Sequence, residues 1–274
     1  MAASLNLSNV EKKELKMLLE MREARYSVND PINFAEYFLD FHPDSWQKQV
    51  LSSTANQLLL NCSRQSGKST TTSVLALHTA LYQPKSLILV VSPSLRQSLE
   101  LFKKLQGHVE NVCPRPVLFE DNKLSCVFDN GSRVVALPGT EGTIRGFSAP
   151  ALVIEDEASR VKDEIYAAIR PMLAISHGRL ILMSTPHGKR GHFFEAWENG
   201  GPSWERIKIT ADQCPRITKD FLAEERKALG DWLYRQEYFG EFVETEDQVF
   251  HYDEVMATMS DDVKQIDFGV TKPW

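Results

Sequence analysis

Short, unbroken apolar runs set the rhythm of this chain. Residues 58–60, 86–91 (SLILVV), 151–154 and 179–183 show no polar alternation, the mark of strands buried on both faces of a parallel sheet. Residues 204–209 read as a last strand. Between these runs, apolar residues recur at helical spacing over 70–81, 94–109 and 161–173, with Ser94 as a cap. Only 124–128 and 132–137 alternate. They flank Asp129-Asn130-Gly131, a hairpin turn signal, and predict an antiparallel extension at a sheet edge. Toward the front, Ser8 and Glu11 make a capping box for a helix over 8–26. Pro31 starts a short helix with Phe34, Tyr37, Phe38 and Phe41 as its apolar side, stopped by His42-Pro43. Asp44 or Ser45 caps the next, which carries Trp46, Gln47 and Val50. Toward the back, helices run from 218 or 220 to 229 and over 231–239, broken at Gly230. Strands alternating with helices predict an α/β domain with a mainly parallel sheet flanked by helices.

Composition leaves this picture intact. The 274 residues are 42% hydrophobic and 25% charged, an ordinary globular balance. No apolar run approaches the ~20 residues of a membrane span, and the N-terminus lacks the basic-then-apolar pattern of a secretory signal. Four scattered cysteines with no C-x-x-C pattern point away from a disulfide framework or zinc site and toward a reducing cytoplasm. The net charge of −6 argues against a nucleic-acid partner until it is located. Nine acids face one lysine between Glu241 and Asp267, so that segment holds more than the whole excess and the rest is close to neutral. An oriented basic patch for DNA remains available, with Arg133, Lys189 and Arg190 as exposed-loop candidates. Residues 241–265 read as an acidic linker.

The chemistry starts where the first apolar run ends. Residues 62–69, CSRQSGKS, fit G-x-x-x-x-G-K-[ST] except that Cys62 replaces the first Gly. In such a loop, backbone N–H groups from Gln65 to Thr70 curl round a phosphate and Lys68 reaches the outer phosphates. Ser69 offers a hydroxyl to Mg²⁺, and the following helix presents its N-terminus. A second site forms after 151–154, where Glu155-Asp156-Glu157 ends a buried strand. Carboxylates there are costly unless paired or metal-bound, and ligands of open α/β sheets sit at that end. With a phosphate loop upstream, Asp156 is a candidate Mg²⁺ ligand and Glu157 the candidate base that polarises the attacking water. Ser184 and Thr185 end the next strand, where hydroxyls can sense a γ-phosphate. Trp46 and Gln47 precede the loop strand, and a Gln can both donate to and accept from an adenine edge. His187 and His192 have no carboxylate close in sequence and read as solvated or core residues, not as metal ligands.

With these residues placed, residues 30–245 resemble the ATPase domain of the large terminase subunit of tailed bacteriophages, a viral DNA-packaging motor. Gln47 after Trp46 resembles its adenine-binding motif. Ser63 to Ser69 resemble its Walker A loop, which carries an internal Arg and tolerates loss of the first Gly, so Arg64 becomes a candidate γ-phosphate contact. Asp156 and Glu157 resemble Walker B and its catalytic Glu, and Ser184-Thr185-Pro186 its coupling motif. Arg145, in an Ile-Arg-Gly loop, is similar to the arginine finger supplied by a neighbouring subunit. The resemblance implies a P-loop NTPase of the additional-strand class over residues 1–240, with 1–28 as a helical extension. It also implies ATP and Mg²⁺ as cofactors and a ring in the host cytoplasm acting on double-stranded DNA with portal protein and small subunit, and no membrane. Such subunits usually continue into an RNase H-like nuclease. Residues 266–274 resemble its first strand, with Asp267 as the first of its acids and no partner acids present, so no DNA cleavage is expected from these residues.

Two rivals follow from the same residues. Ser92 to Gln97 resemble a strand-contact motif of superfamily-2 helicases, although too few residues remain for a second RecA-like domain. An ATP-gated DNA-binding scaffold with negligible turnover would carry the same loop.

Overall fold

The computed structural model describes residues 29–112, 115–244 and 257–258. The readings of 8–26 as a helix and of Asp267 as a nuclease acid lie outside the described residues, as do 245–256 and 259–265 of the linker read over 241–265. Among the described residues, no helix is long and apolar enough to cross a membrane.

Two short helices, α1 (Pro31–Phe38) and α2 (Ser45–Ser52), precede strand β1 (Gln57–Cys62). Asp30 caps α1 by accepting from the Ile32 N–H at 3.0 Å, and Asp44 holds the N-cap position of α2. The chain continues through α3 (Lys68–Tyr82), β2 (Leu87–Ser92) and α4 (Leu95–Asn111). Three strands follow, β3 (Leu118–Asp121), β4 (Ser125–Phe128) and β5 (Arg133–Pro138), then the short α5 (Glu141–Ile144). Strand β6 (Leu152–Asp156), helix α6 (Asp163–Ser176), β7 (Arg179–Ser184), α7 (Gly191–Glu198) and β8 (Glu205–Ile209) complete the sheet. Helices α8 (Lys219–Leu229) and α9 (Asp231–Phe239) follow it.

The eight strands lie in the order β3-β4-β5-β2-β6-β7-β1-β8. From β5 to β8 every neighbouring pair is parallel, and β3 and β4 add an antiparallel ribbon at one edge. This bears out the antiparallel extension and adds to it. Strand β5 does pair antiparallel with β4, but its buried run Val134–Leu137 also makes it a full parallel partner of β2. Arg133 is therefore the exposed first residue of a strand, not of a loop, and it lies over the Phe147 ring at 5.8 Å. Strand β3, with its exposed Phe119, is too short and polar to register in the hydrophobic pattern.

The unbroken apolar runs are explained by two covered faces. Leu58, Leu60, Ile88, Val90, Ile154 and Ile181 pack under α1 to α4. Leu59, Leu89, Val91, Val153, Leu180 and Leu182 pack against α6 and α7. Tyr37 departs from the expectation, at 76% exposed on the solvent side of α1. Strand β7 is inserted between β1 and β6. Registers Asn61↔Ser184 and Asp156↔Met183 bring the carboxyl ends of the three strands level. The candidate residues sit at that edge, where ligands of parallel sheets bind.

Candidate active site

Cys62 is the last residue of β1, fully buried, and its φ is not in the left-handed region. The first position of the loop pattern therefore asks for a core side chain here, not for a glycine. Burial pushes the Cys62 thiol up to about 12, so it is an inert packing group. The bends come later, at Gln65 (φ 55°) and Gly67 (φ 103°). Gly67 is the N-cap of α3, and Lys68 and Ser69 form its first turn. The N–H groups of the loop and the helix N-terminus thus come from one segment, an arrangement able to receive a phosphate.

Lys68 Nζ donates to Glu157 Oε1 at 2.6 Å. Burial works against the Lys68 charge, but Glu157 and Asp156 outweigh it and hold its pKa above the usual lysine range. Asp156 is the buried last residue of β6 and accepts from the Glu157 N–H at 3.0 Å. Burial is the main cause that lifts its pKa to about 6, with Glu157 adding and Lys68 opposing. Glu157 itself takes a left-handed φ of 53° as the chain turns into a 3₁₀ segment, Ala158–Arg160. A non-glycine residue in that region is uncommon, and such positions cluster at functional sites.

The buried Asp156 charge has a measurable cost. Its folded pKa exceeds the ordinary value of 3.8, so the penalty is complete above about pH 6 and vanishes as pH falls toward 4. Asp156→Asn should therefore raise the stability of the nucleotide-free chain at pH 7 by on the order of 2 kcal/mol. The gain should fade below about pH 4.5 in melts across pH. A variant that is destabilised at every pH would contradict this account of Asp156.

Ser184 and Thr185 are both buried at the end of β7. Thr185 Oγ1 donates to the Cys62 carbonyl at 3.1 Å. Ser184 Oγ lies 2.7 Å from Ser159 Oγ, and Ser159 Oγ donates to the Thr185 carbonyl at 2.8 Å. A continuous chain of hydrogen bonds thus runs from the start of the phosphate loop, through β7, to the turn that carries Glu157. Ser159, its middle member, is not marked by any motif.

Two further residues escape the sequence pattern. Glu237 of α9 is buried and pairs with Arg64, whose N–H also donates to the Glu237 carbonyl at 3.0 Å. Asn61 Nδ2 donates to the Gly240 carbonyl at 2.8 Å, so the end of α9 is fastened to β1. Gly240, with φ of 60°, leaves no room for a side chain, since a Cβ would lie 2.5 Å from Asn61 Oδ1. The other residue is Arg216, which donates from Nη2 to the Ser66 carbonyl at 2.9 Å and pairs with Asp44 at 2.8 Å. Gln47 is buried, and its Oε1 accepts from the Asp44 N–H at 2.8 Å. One lone pair of that oxygen is thereby used in capping α2.

Arg145 stands exposed in the loop between α5 and β6. Of the suggested DNA contacts, Lys189 is paired with Glu244 at 3.4 Å and Arg190 is exposed. His192 is buried, as expected of a core histidine. The fold supplies the carboxylates that the sequence separated: Nε2 lies 2.6 Å from the buried Glu155 and Nδ1 3.0 Å from Asp163. Burial alone would lower the His192 pKa, but these two carboxylates raise it above the usual value. The imidazole ties β6, one residue before Asp156, to α7. Among the described residues, no cluster of three or more His, Cys, Asp or Glu is suited to hold a metal ion. Mg²⁺ is typically held by one or two protein oxygens plus phosphates. The hydroxyl of Ser69 and the carboxylate of Asp156 are hard oxygen donors of that type.

Residues 59–256 match the family described as "Terminase large subunit, T4likevirus-type, N-terminal". The chain is 26% identical over 247 residues to the terminase large subunit of Thermus virus P23-45, covering 77% of this chain and 51% of that one. It spans about half the length of the terminase large subunits it matches. The Thermus phage P74-26 large terminase ATPase domain superposes with a TM-score of 0.68 at 23% identity, over 76% of this chain and 97% of that one. The large terminase of a thermophilic bacteriophage, in complex with ADP, gives 0.63 at 11% identity, over 73% of this chain and 54% of that one. The sheet order, with β7 between the loop strand and the acid-bearing strand, is accordingly that of a P-loop NTPase of the additional-strand class, and the chain belongs to the large-terminase N-terminal domain family.

Proposed function

We propose that this chain is the ATP-hydrolysing motor domain of a large terminase, which drives double-stranded DNA into a viral procapsid. The observation that carries this is the meeting of Lys68 and Glu157 at 2.6 Å across the level ends of β1 and β6. The likeness in fold to the thermophilic bacteriophage terminase bound to ADP, and to the same protein bound to ATP-γ-S, supports a nucleotide as the ligand.

In the proposed reaction the triphosphate takes Lys68 from Glu157, and the loop N–H groups and α3 N-terminus receive the phosphates. Freed of Lys68, the Glu157 carboxylate becomes the base that orients and deprotonates the attacking water. Arg64 reaches a phosphate only by leaving Glu237, which would strand a buried carboxylate and bias α9 to move. Ser69 and Asp156 would hold Mg²⁺, which when bound neutralises charge on the outer phosphates. The Thr185–Ser184–Ser159 chain would transmit the state of the loop to Glu157. Arg145 would complete the site of a neighbouring subunit in a ring. Portal protein, small subunit and a C-terminal nuclease belong to the same reading of the parent protein.

Lys68→Ala tests the site. Titration with ATP-γ-S and Mg²⁺ should show binding by the wild-type chain and a loss of roughly 100-fold or more in the variant, since a charge-assisted contact to phosphate is removed from a sheltered site. Equal affinity would place the nucleotide elsewhere.

A further inference from the structure

The arrangement around Gly67 contains more than a phosphate cradle. A Cβ built on Gly67 would lie 3.0 Å from Gln47 Nε2, 3.3 Å from Arg216 Nη2 and 3.9 Å from Trp46 Cζ2. Three side chains from two distant parts of the sequence therefore converge on the residue just before Lys68. Nε1 of the same indole is bonded to the ring carbon that also carries Cζ2. That N–H is buried and has no hydrogen-bond partner, although Trp46 is only 7% exposed. Buried donors are nearly always paired in native proteins, so an unpaired one in a ring that borders this loop points to a ligand.

Arg216 is not built as a phosphate-binding charge. Its Nη2 is engaged by the Ser66 carbonyl and its Nη1 by Asp44. Both contacts fix the guanidinium in place, and the carboxylate offsets its charge. The side chain nevertheless remains 51% exposed, so a ligand ring can reach it. A guanidinium immobilised through its edge is suited to stack on an aromatic ring.

We propose that Arg216 is a base-selecting residue. Its guanidinium face stacks on the purine ring of the bound nucleotide, while Gln47 Nε2 and Trp46 Nε1 donate to acceptors on the ring edge. This rests on the reading that the loop binds a nucleoside triphosphate, and it adds how the base is held. It also revises the role of Gln47, whose oxygen is partly committed to Asp44 and whose amide N–H faces the ligand. Arg216 acts through its plane, so lysine does not substitute for it.

Calorimetric titrations with ATP, CTP and inorganic tripolyphosphate, each with Mg²⁺, separate the possibilities. Carried out in a Glu157→Gln background to stop turnover, they compare Arg216 with Arg216→Ala and Arg216→Lys. The expected result is a roughly 3- to 30-fold loss of ATP affinity in both variants, from the cation–π range of about 0.5–2 kcal/mol. CTP should lose less, because a pyrimidine offers less ring to stack on, and tripolyphosphate should bind unchanged. An equal loss for tripolyphosphate would overturn the proposal, since Arg216 would then only brace the loop through Ser66. Full retention of ATP affinity, or rescue by lysine, would overturn it as well. If the parent chain bound neither ATP nor tripolyphosphate, the nucleotide-site reading itself would fall. Binding of both with no difference between the variants would remove Arg216 alone.

Discussion

Glu157→Gln should abolish all but about 10⁻² to 10⁻⁴ of ATP turnover while leaving ATP bound, the range expected when a general base is lost. The substitution is nearly isosteric, so the left-handed turn at Glu157 and the Ser159 hydrogen bonds should survive it. In the nucleotide-free chain, Glu157 competes for Lys68 through a 2.6 Å contact. Neutral Gln competes less well, so ATP affinity should stay level or rise. This pairing of outcomes is diagnostic. A residue that merely supported the fold would lower binding and turnover together, whereas loss of a base lowers turnover alone. Phosphate release and nucleotide binding measured on the same preparation decide it. Equal turnover in variant and parent would favour an ATP-gated scaffold over an enzyme.

Arg145→Ala should have a comparably large effect, in assemblies only. An arginine finger acting in trans contributes about 10³–10⁵ in rate. Arg145 occupies an exposed loop, as a residue serving a neighbour requires. The isolated chain should therefore turn over ATP slowly, with little further loss on Arg145→Ala. At assembling concentrations the variant should lose most of the gained activity. Mixing it with Glu157→Gln chains should restore part of that activity, because some interfaces then join an intact Glu157 to an intact Arg145. If Arg145→Ala silences the monomer and mixing never rescues it, Arg145 acts within its own chain or only structurally.

Residues whose role is local to a motif were legible in the sequence. The loop strand, Lys68 and Ser69 in the first turn of a helix, and Asp156-Glu157 at a strand end all follow from spacing and from apolar runs buried on two faces. The insertion of β7 between β1 and β6 was legible only through family resemblance, because strand order is a tertiary property. Residues whose role depends on long-range pairing were not legible at all. Glu237 reads as one more acid on an amphipathic helix, and Arg216 as a surface residue after a proline. The fold alone places each beside the phosphate loop. His192 shows the same limit, since its carboxylates lie 37 and 29 residues away in sequence. Helix α7 begins at a glycine and has no side-chain cap, so no start signal marked it. Cys62 is the opposite case. A residue that spoils a motif on paper is explained by its place in a strand, where burial and not backbone freedom decides what fits.

The central claim is that the groups gathered at the ends of β1, β6 and β7 hydrolyse ATP with the help of a divalent cation held by Ser69 and Asp156. Release of inorganic phosphate from ATP by the wild-type chain, with Mg²⁺ and then with the cation removed by a chelator, tests it most directly. Slow, saturable release that stops on chelation and resumes when Mg²⁺ is restored is the result expected. Release that continues unchanged without the cation, or no release at any protein concentration with Mg²⁺ present, would contradict it.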